Sequence, residues 1–167
     1  MGQRRDLSVN LMEKIVVDAS LVVKWFITEE YSNLALQIRD RFINGQLELF
    51  APNLLHYEVL NALKYSNLFS LDNLLDAIIS LENYGIIQVP LNGDYAHKTM
   101  KLALDLNISI YDAAYVGLTD TLGICAYSAD KKLVDTVNKD YGNQFLFITT
   151  LDETNGAKKV NSVKNSQ

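Results

Sequence analysis

Four acidic residues lie at positions where a carboxylate needs a partner. Asp112 lies among apolar and small residues in the stretch 108–118, where a helix is predicted to begin. Asp18 and Asp130 each follow an apolar, strand-like run, and Glu58 falls within or beside the apolar stripe of a predicted helix. An isolated ionised carboxylate is costly to bury, so such a group normally pairs with a donor or a cation. These four side chains are therefore the first candidates for chemistry.

A parallel sheet would bring these acids to one place. Apolar, β-rich runs alternate with segments of helical period, which predicts a single α/β domain with a central parallel sheet of about five strands flanked by helices. Ligands bind such sheets beyond the carboxyl ends of the strands, where Asp18 and Asp130 are expected. The predicted strands are 14–18, 47–52, 86–90, 123–128 and 144–148, and the predicted helices are 21–27, 33–44, 54–67, 71–83, 94–105, 112–121 and 131–138.

A shared metal ion would explain the clustered acids. Neighbouring carboxylates repel one another, and protonation or a cation relieves that repulsion. Oxygen ligands favour Mg²⁺ or Mn²⁺ over zinc, and His56 and His97 have no second ligand at a useful spacing. The expected metal ligands and catalytic residues are Asp18, Glu58, Asp112 and Asp130.

Simpler interpretations of the same residues remain open from sequence alone. Asp18 and Asp130 could each cap the helix that follows, because aspartate is favoured at that position. Glu58 could lie at the edge of its apolar stripe and reach water or a lysine. Capping does not exclude a second role for either aspartate.

Composition restricts the partners and the compartment. The chain has 167 residues and a net charge of −5, so it lacks the overall basic character of many nucleic-acid-binding proteins. No run is long and apolar enough to span a membrane, and the basic N-terminus lacks the apolar region of a signal peptide. The single cysteine, Cys125, excludes an internal disulfide and is predicted to fill the core. We expect a cytoplasmic protein.

The predicted domain leaves a short segment at each end. Residues 1–11 fit no element and are interpreted as an extension, with Met12 as an alternative native start. The ordered domain is predicted to cover 12–153. Residues 154–167 are polar and small, which is typical of a disordered tail.

Four short motifs in this order resemble the PIN domain, in particular VapC-type toxins of toxin–antitoxin pairs. The motifs are the stretches 16–20, 58–63, 111–115 and 128–130, and the resemblance extends from about residue 12 to residue 153. It implies an endoribonuclease that depends on Mg²⁺, with Mn²⁺ as a substitute. It also implies RNA as substrate, a homodimer, and inhibition by a small VapB-like antitoxin.

The resemblance also implies roles for individual residues. Asp18, Glu58 and Asp112 fall on the core acidic positions of the family, and Asp130 falls on a fourth, more variable one. The positions that would support the site or bind substrate are Ser20, Asn61 and Ser128, and many relatives carry Thr at the last of these. Lys24 or Lys131 would steer the RNA backbone.

Three other functions compete with this one. A phospho-acceptor receiver domain would need a second acid after the first strand and a lysine after the fifth, where this chain has Ala19-Ser20 and Thr149-Thr150. A PIN-like RNA-processing nuclease outside a toxin–antitoxin pair remains an alternative. A PIN-like module used only for binding or assembly is the other, although the four retained acids argue against it.

Overall fold

A five-stranded parallel sheet forms the centre of the computed structural model, which describes residues 12–142 and 144–151. The strands are β1 (Glu13–Val17), β2 (Leu47–Pro52), β3 (Ile87–Val89), β4 (Cys125–Ser128) and β5 (Phe145–Phe147). Their order in the sheet is β3-β2-β1-β4-β5, and every neighbouring pair is parallel. The predicted α/β architecture is confirmed.

Helices connect the strands, as parallel pairing requires. They are α1 (Ala19–Val23), α2 (Ser32–Ile43), α3 (Leu55–Tyr65), α4 (Leu71–Tyr84), α5 (Gly93–Leu106), α6 (Ile110–Leu122) and α7 (Lys131–Asp140). Each predicted element is present, and the predicted strand 47–52 is reproduced residue for residue. The largest shift is at the first helix, which covers Ala19–Val23 instead of 21–27.

The core lies on both faces of the central strand. Ile15, Val16 and Val17 of β1 are all buried, and such a continuous apolar run is typical of a strand covered by helices on both sides. Helix α6 is buried from Ala113 to Thr119 and packs closely against α5. A Cβ atom at Gly117 would lie 2.5 Å from Thr99 Oγ1, so glycine permits this close approach.

One sequence prediction about the core is wrong. Cys125 is exposed, because it is the first residue of β4 and burial in that strand begins only at Ala126. The predicted extension 1–11 and tail 154–167 lie outside the described residues, so the domain limits stay a prediction. No helix in the described part of the chain is long and apolar enough to cross a membrane.

Candidate active site

Asp18 lies directly after β1 and is buried, with 7% of its surface exposed. Its carboxylate oxygen Oδ2 accepts hydrogen bonds from Ser20 Oγ at 2.5 Å and from Ser128 Oγ at 2.7 Å. Asp18 precedes α1 in the chain, yet its side chain makes no capping hydrogen bond to that helix. The simple capping interpretation of Asp18 is therefore wrong.

The loop after β4 orients the two serine hydroxyls. Ser20 Oγ accepts a hydrogen bond from the backbone N–H of Ala129, and Ser128 Oγ accepts one from the backbone N–H of Asp130, both at 3.0 Å. Because these oxygens accept from the backbone, their own protons remain available to Asp18. Ser20 and Ser128 thus hold the carboxylate of Asp18, and their predicted role in catalysis or substrate binding stays a prediction.

The surroundings of Asp18 make its ionised form unfavourable. Burial raises the pKa of this carboxyl above its ordinary value, and the charge of Asp112 raises it further. Among the described residues, the groups that lower its pKa are the hydroxyls of Ser20 and Ser128 and the backbone N–H of Ala19, and none of them is a lysine or arginine. A cation at this position would favour the ionised form.

Glu58 is partly buried on α3 and reaches the same region from another side. Burial raises the pKa of Glu58 to about 7, and the charges of Asp18 and Asp112 act in the same direction. The hydroxyl of Tyr115 donates a hydrogen bond to Glu58 Oε2 at 2.5 Å and partly offsets the rise. Burial also raises the pKa of Tyr115, which keeps the phenol protonated as a donor.

Asp112 and Asp130 line an open pocket of about 490 Å³ beside these groups. The carboxylate of Asp112 accepts a hydrogen bond from Ser109 Oγ at 2.7 Å, in the first turn of α6. Asp130 caps α7, because its Oδ1 accepts the backbone N–H of Leu133 at 2.9 Å. The capping interpretation is confirmed for Asp130, and the pocket leaves room for a second role.

The carboxylates of the site suit a divalent ion that keeps most of its water ligands better than one bound entirely by protein side chains. The charge of Asp112 acts on both Asp18 and Glu58, and the charge of Asp18 acts on Glu58, so the three carboxylates lie near one another. Within residues 12–142 and 144–151, however, no three His, Cys, Asp or Glu side chains are placed closely enough to hold a metal ion together. Mg²⁺ commonly keeps several waters and takes only one or two carboxylates, so the donor chemistry fits this ion.

The lysines expected to steer RNA are already paired. Lys24 Nζ lies 2.7 Å from a carboxylate oxygen of Glu29, and Lys131 Nζ lies 2.7 Å from one of Asp135. Lys132, which had no predicted role, lines the pocket that contains Asp112. Among the described residues, Lys132 is therefore a further candidate for contact with the RNA backbone.

Sequence reasoning missed the tyrosines of the site. Tyr115 contacts Glu58 directly, and Tyr57 and Tyr111 line a second pocket with Glu58 and Asn61. The available signal was spacing, because residues one turn apart share a helix face and Tyr111 and Tyr115 are four residues apart. Asn61 borders this second pocket, and its predicted contact with substrate stays a prediction.

The sheet order and the origin of the acids define a class of protein. A parallel sheet ordered β3-β2-β1-β4-β5, with carboxylates from the end of β1, from α3 and from the start of α6, has the architecture of a PIN-like domain. The crystal structure of PAE2754 from Pyrobaculum aerophilum is similar to this chain with a TM-score of 0.57. The match covers 85% of this chain and 94% of that one at 21% identity, which shows the fold.

A sequence relative identifies the family. Ribonuclease VapC3 of Pyrobaculum aerophilum is 30% identical over 126 residues, which cover 73% of this chain and 93% of the relative. A search of family models gave no match. The chain belongs to the VapC-type PIN domain family, as the sequence motifs predicted.

Proposed function

We propose that this protein is a Mg²⁺-dependent endoribonuclease and the toxin of a VapBC-type toxin–antitoxin pair. The observation that carries the proposal is the proximity of three carboxylates: the charge of Asp112 raises the pKa of Asp18 and of Glu58, and the charge of Asp18 raises the pKa of Glu58. Among the described residues, no basic side chain lowers either of these two pKa values. The similarity to a protein named Ribonuclease VapC3 supports RNA as the substrate.

Each residue has a part in this proposal. A divalent ion held by Asp18 and Asp112, with Glu58 and Asp130 nearby, would offset phosphate charge and make a bound water more acidic. Ser20 and Ser128 fix the orientation of the Asp18 carboxylate.

Glu58 is suited to moving a proton near neutral pH. In the metal-free protein its pKa is about 7, near the value that favours a general base at that pH, and a divalent ion beside it would lower this pKa and so keep the carboxylate ionised. Tyr115 holds its carboxylate through one oxygen, which leaves the other oxygen free of that hydrogen bond. Glu58 can therefore accept a proton from an attacking water while its position stays fixed.

The activity is tested with single-stranded RNA and two matched variants. Asp18→Asn keeps the shape of the side chain and removes its charge, and we expect it to abolish most cleavage in Mg²⁺. Asp76→Asn makes the same change at an exposed position of α4 and should cleave at the wild-type rate. Equal rates for the two variants would contradict the proposal.

The antitoxin is proposed to cover the pocket lined by Asp112 and Asp130 with a basic segment, because opposite charges complement one another there. Co-expression with the product of an adjacent small gene is expected to give a stable complex with suppressed nuclease activity. Cleavage without any such complex would favour an RNA-processing nuclease outside a toxin–antitoxin pair. A complex without cleavage by the free protein would favour a binding module.

A homodimer is proposed through the exposed face of α4. Leu71, Leu75 and Ile79 follow one another at four-residue spacing and are exposed by 70%, 48% and 55%. Two copies related by a twofold axis would bury this stripe against itself. Light scattering should show a dimer for the wild type and a monomer for Ile79→Lys, and a wild-type monomer at high concentration would contradict the assignment.

We also propose that the protein acts in the cytoplasm.

A further inference from the structure

Two exposed tyrosines border the carboxylates without an evident structural role. Tyr57 and Tyr111, together with Glu58 and Asn61, line a pocket of about 440 Å³, here called the tyrosine pocket. Tyr57 is 79% exposed and Tyr111 is 59% exposed. The volume falls within the range of ~300–1,000 Å³ that is usual for small-molecule sites, so one nucleoside would fit.

The two helices that carry these rings are joined at the acidic site. Tyr57 and Asn61 are one turn apart on α3 and so share a face of that helix. Tyr111 is in the first turn of α6, directly before Asp112. The hydrogen bond from Tyr115 to Glu58 connects α6 to α3 just beside the tyrosine pocket. A ligand in this pocket would therefore lie next to the carboxylates.

Packing does not explain the two exposed rings. The ring–ring contacts in the described part of the chain are Trp25 with Tyr84 and Tyr31 with Phe147, and neither involves the tyrosine pocket. Among the same residues, no hydrogen bond is made by the hydroxyl of Tyr57 or Tyr111. By contrast, the buried Tyr95 donates its hydroxyl proton to the backbone oxygen of Ala114. Aromatic side chains commonly line ligand pockets.

The charge of the protein favours stacking as a source of RNA affinity. RNA-binding proteins usually gain affinity by neutralising phosphates with lysine and arginine. This chain has a net charge of −5, and Lys24 and Lys131 are paired with carboxylates. Aromatic side chains bind unpaired bases through stacking, which needs no positive charge and tolerates any base.

We propose that the tyrosine pocket holds one unpaired nucleobase of the RNA, stacked on Tyr57 or Tyr111, next to the phosphodiester that is cleaved. The exposed amide of Asn61 is placed to contact the edge of that base. A paired base is enclosed in its helix, so this pocket selects single-stranded RNA. The assignment rests on the proposed ribonuclease function and adds to it the recognition of the substrate.

The assignment is tested with substitutions that separate the effect of ring stacking from the effects of side-chain size and of the hydroxyl group. Tyr57→Phe and Tyr111→Phe keep an aromatic ring, whereas Tyr57→Leu and Tyr111→Leu remove it. Tyr65→Leu is the matched control, because Tyr65 is an exposed tyrosine on the same helix as Tyr57 and lies outside the tyrosine pocket.

A leucine variant in the pocket is expected to lose roughly 5- to 140-fold in kcat/KM, which is the usual effect of losing one stacked base. The loss should arise mainly from a higher KM. Each phenylalanine variant should lose much less than the leucine variant at the same position, because it keeps the aromatic ring, and Tyr65→Leu should retain the wild-type value within about twofold. An equal loss in the phenylalanine and leucine variants, or an equal loss in Tyr65→Leu, would overturn the assignment.

A chemically altered RNA shows whether the lost contact is with a base. The substrate is a single-stranded oligoribonucleotide in which one nucleotide next to the cleaved bond lacks its base. If the pocket holds that base, the leucine variants and the abasic substitution each reduce kcat/KM, and the two losses do not add. The assignment would be overturned if the combined loss in kcat/KM equalled the product of the two separate losses wherever the abasic nucleotide is placed near the cleaved bond.

The two proposals fail in different ways. If the wild type cleaves RNA and the leucine variants cleave equally well, only the nucleobase pocket is overturned. If the wild type cleaves no RNA, the ribonuclease proposal fails, and fluorescence anisotropy with the same oligoribonucleotide then tests the pocket alone. Binding that weakens in at least one of Tyr57→Leu and Tyr111→Leu but not in Tyr65→Leu supports it, and equal binding by all variants overturns it.

Discussion

Glu58→Gln is expected to stabilise the metal-free protein at alkaline pH. The carboxyl of Glu58 has a pKa of about 7, raised mainly by burial and also by the charges of Asp18 and Asp112. Glutamine has nearly the same shape, carries no charge, and can still accept the hydrogen bond that Tyr115 donates. The substitution therefore removes the charge and leaves the packing in place.

The pKa of Glu58 sets the size and the sign of the effect. The folded protein binds this proton more tightly than the unfolded chain, so the associated stability is fully present below about pH 4.5 and is lost as the pH rises to about 7. At ~1.36 kcal/mol per pH unit, the difference between the two pKa values corresponds to about 3 kcal/mol. Partial exposure makes this an upper limit, equivalent to roughly 6–12 °C in melting temperature.

Thermal unfolding in EDTA at pH 5 and pH 8 measures the effect. The gain in melting temperature of Glu58→Gln over the wild type should be large at pH 8 and small at pH 5. Glu82→Gln, at an exposed position of α4, is the control and should change neither value. A variant that is less stable than the wild type at both pH values would show that the ionised carboxylate stabilises the fold, which would refute the reasoning.

Three further predictions follow from the same geometry. Asp18→Asn and Asp112→Asn should each remove most of the single-turnover cleavage rate, with smaller losses for Asp130→Asn and the smallest for Ser128→Ala, and a reversed order would contradict the assigned roles. Mg²⁺ binding measured by calorimetry should tighten as the pH rises through about 7 and release a proton, because Glu58 must ionise, and pH-independent binding would contradict this. Gly117→Ala should lower the free energy of unfolding by about 1–3 kcal/mol, because its methyl group would collide with α5, and an unchanged melting temperature would contradict the close packing.

Local patterns were sufficient to predict the elements and the position of Asp18 directly after a strand. Strand β2 ends at Pro52 and has an alternating pattern, and its predicted limits were correct. Asp18 could be placed at a strand end because Val16 and Val17 form the end of an apolar run. Cys125 was misplaced because an apolar run does not show at which residue the covering helices begin to bury a strand.

Long-range contacts could not be predicted in the same way. The hydrogen bond between Tyr115 and Glu58 joins residues 57 positions apart, and it depends on how α3 and α6 are placed on the sheet. The pairing of Lys24 with Glu29 depends on the short loop after α1, where local charge spacing alone did not indicate a contact. Geometry of this kind, and not residue type, decided which tyrosines belong to the site.

The central claim is that these carboxylates form a metal-dependent ribonuclease site, and a metal-replacement cleavage assay tests it most directly. Purified protein is treated with EDTA and then given Mg²⁺, Mn²⁺ or Ca²⁺ with a labelled single-stranded RNA. We expect Mg²⁺ and Mn²⁺ to restore cleavage and Ca²⁺ to restore little, because its looser coordination fixes an attacking water poorly. RNA cleavage that persists in EDTA, or that proceeds at the wild-type rate in Asp112→Asn, would contradict the claim.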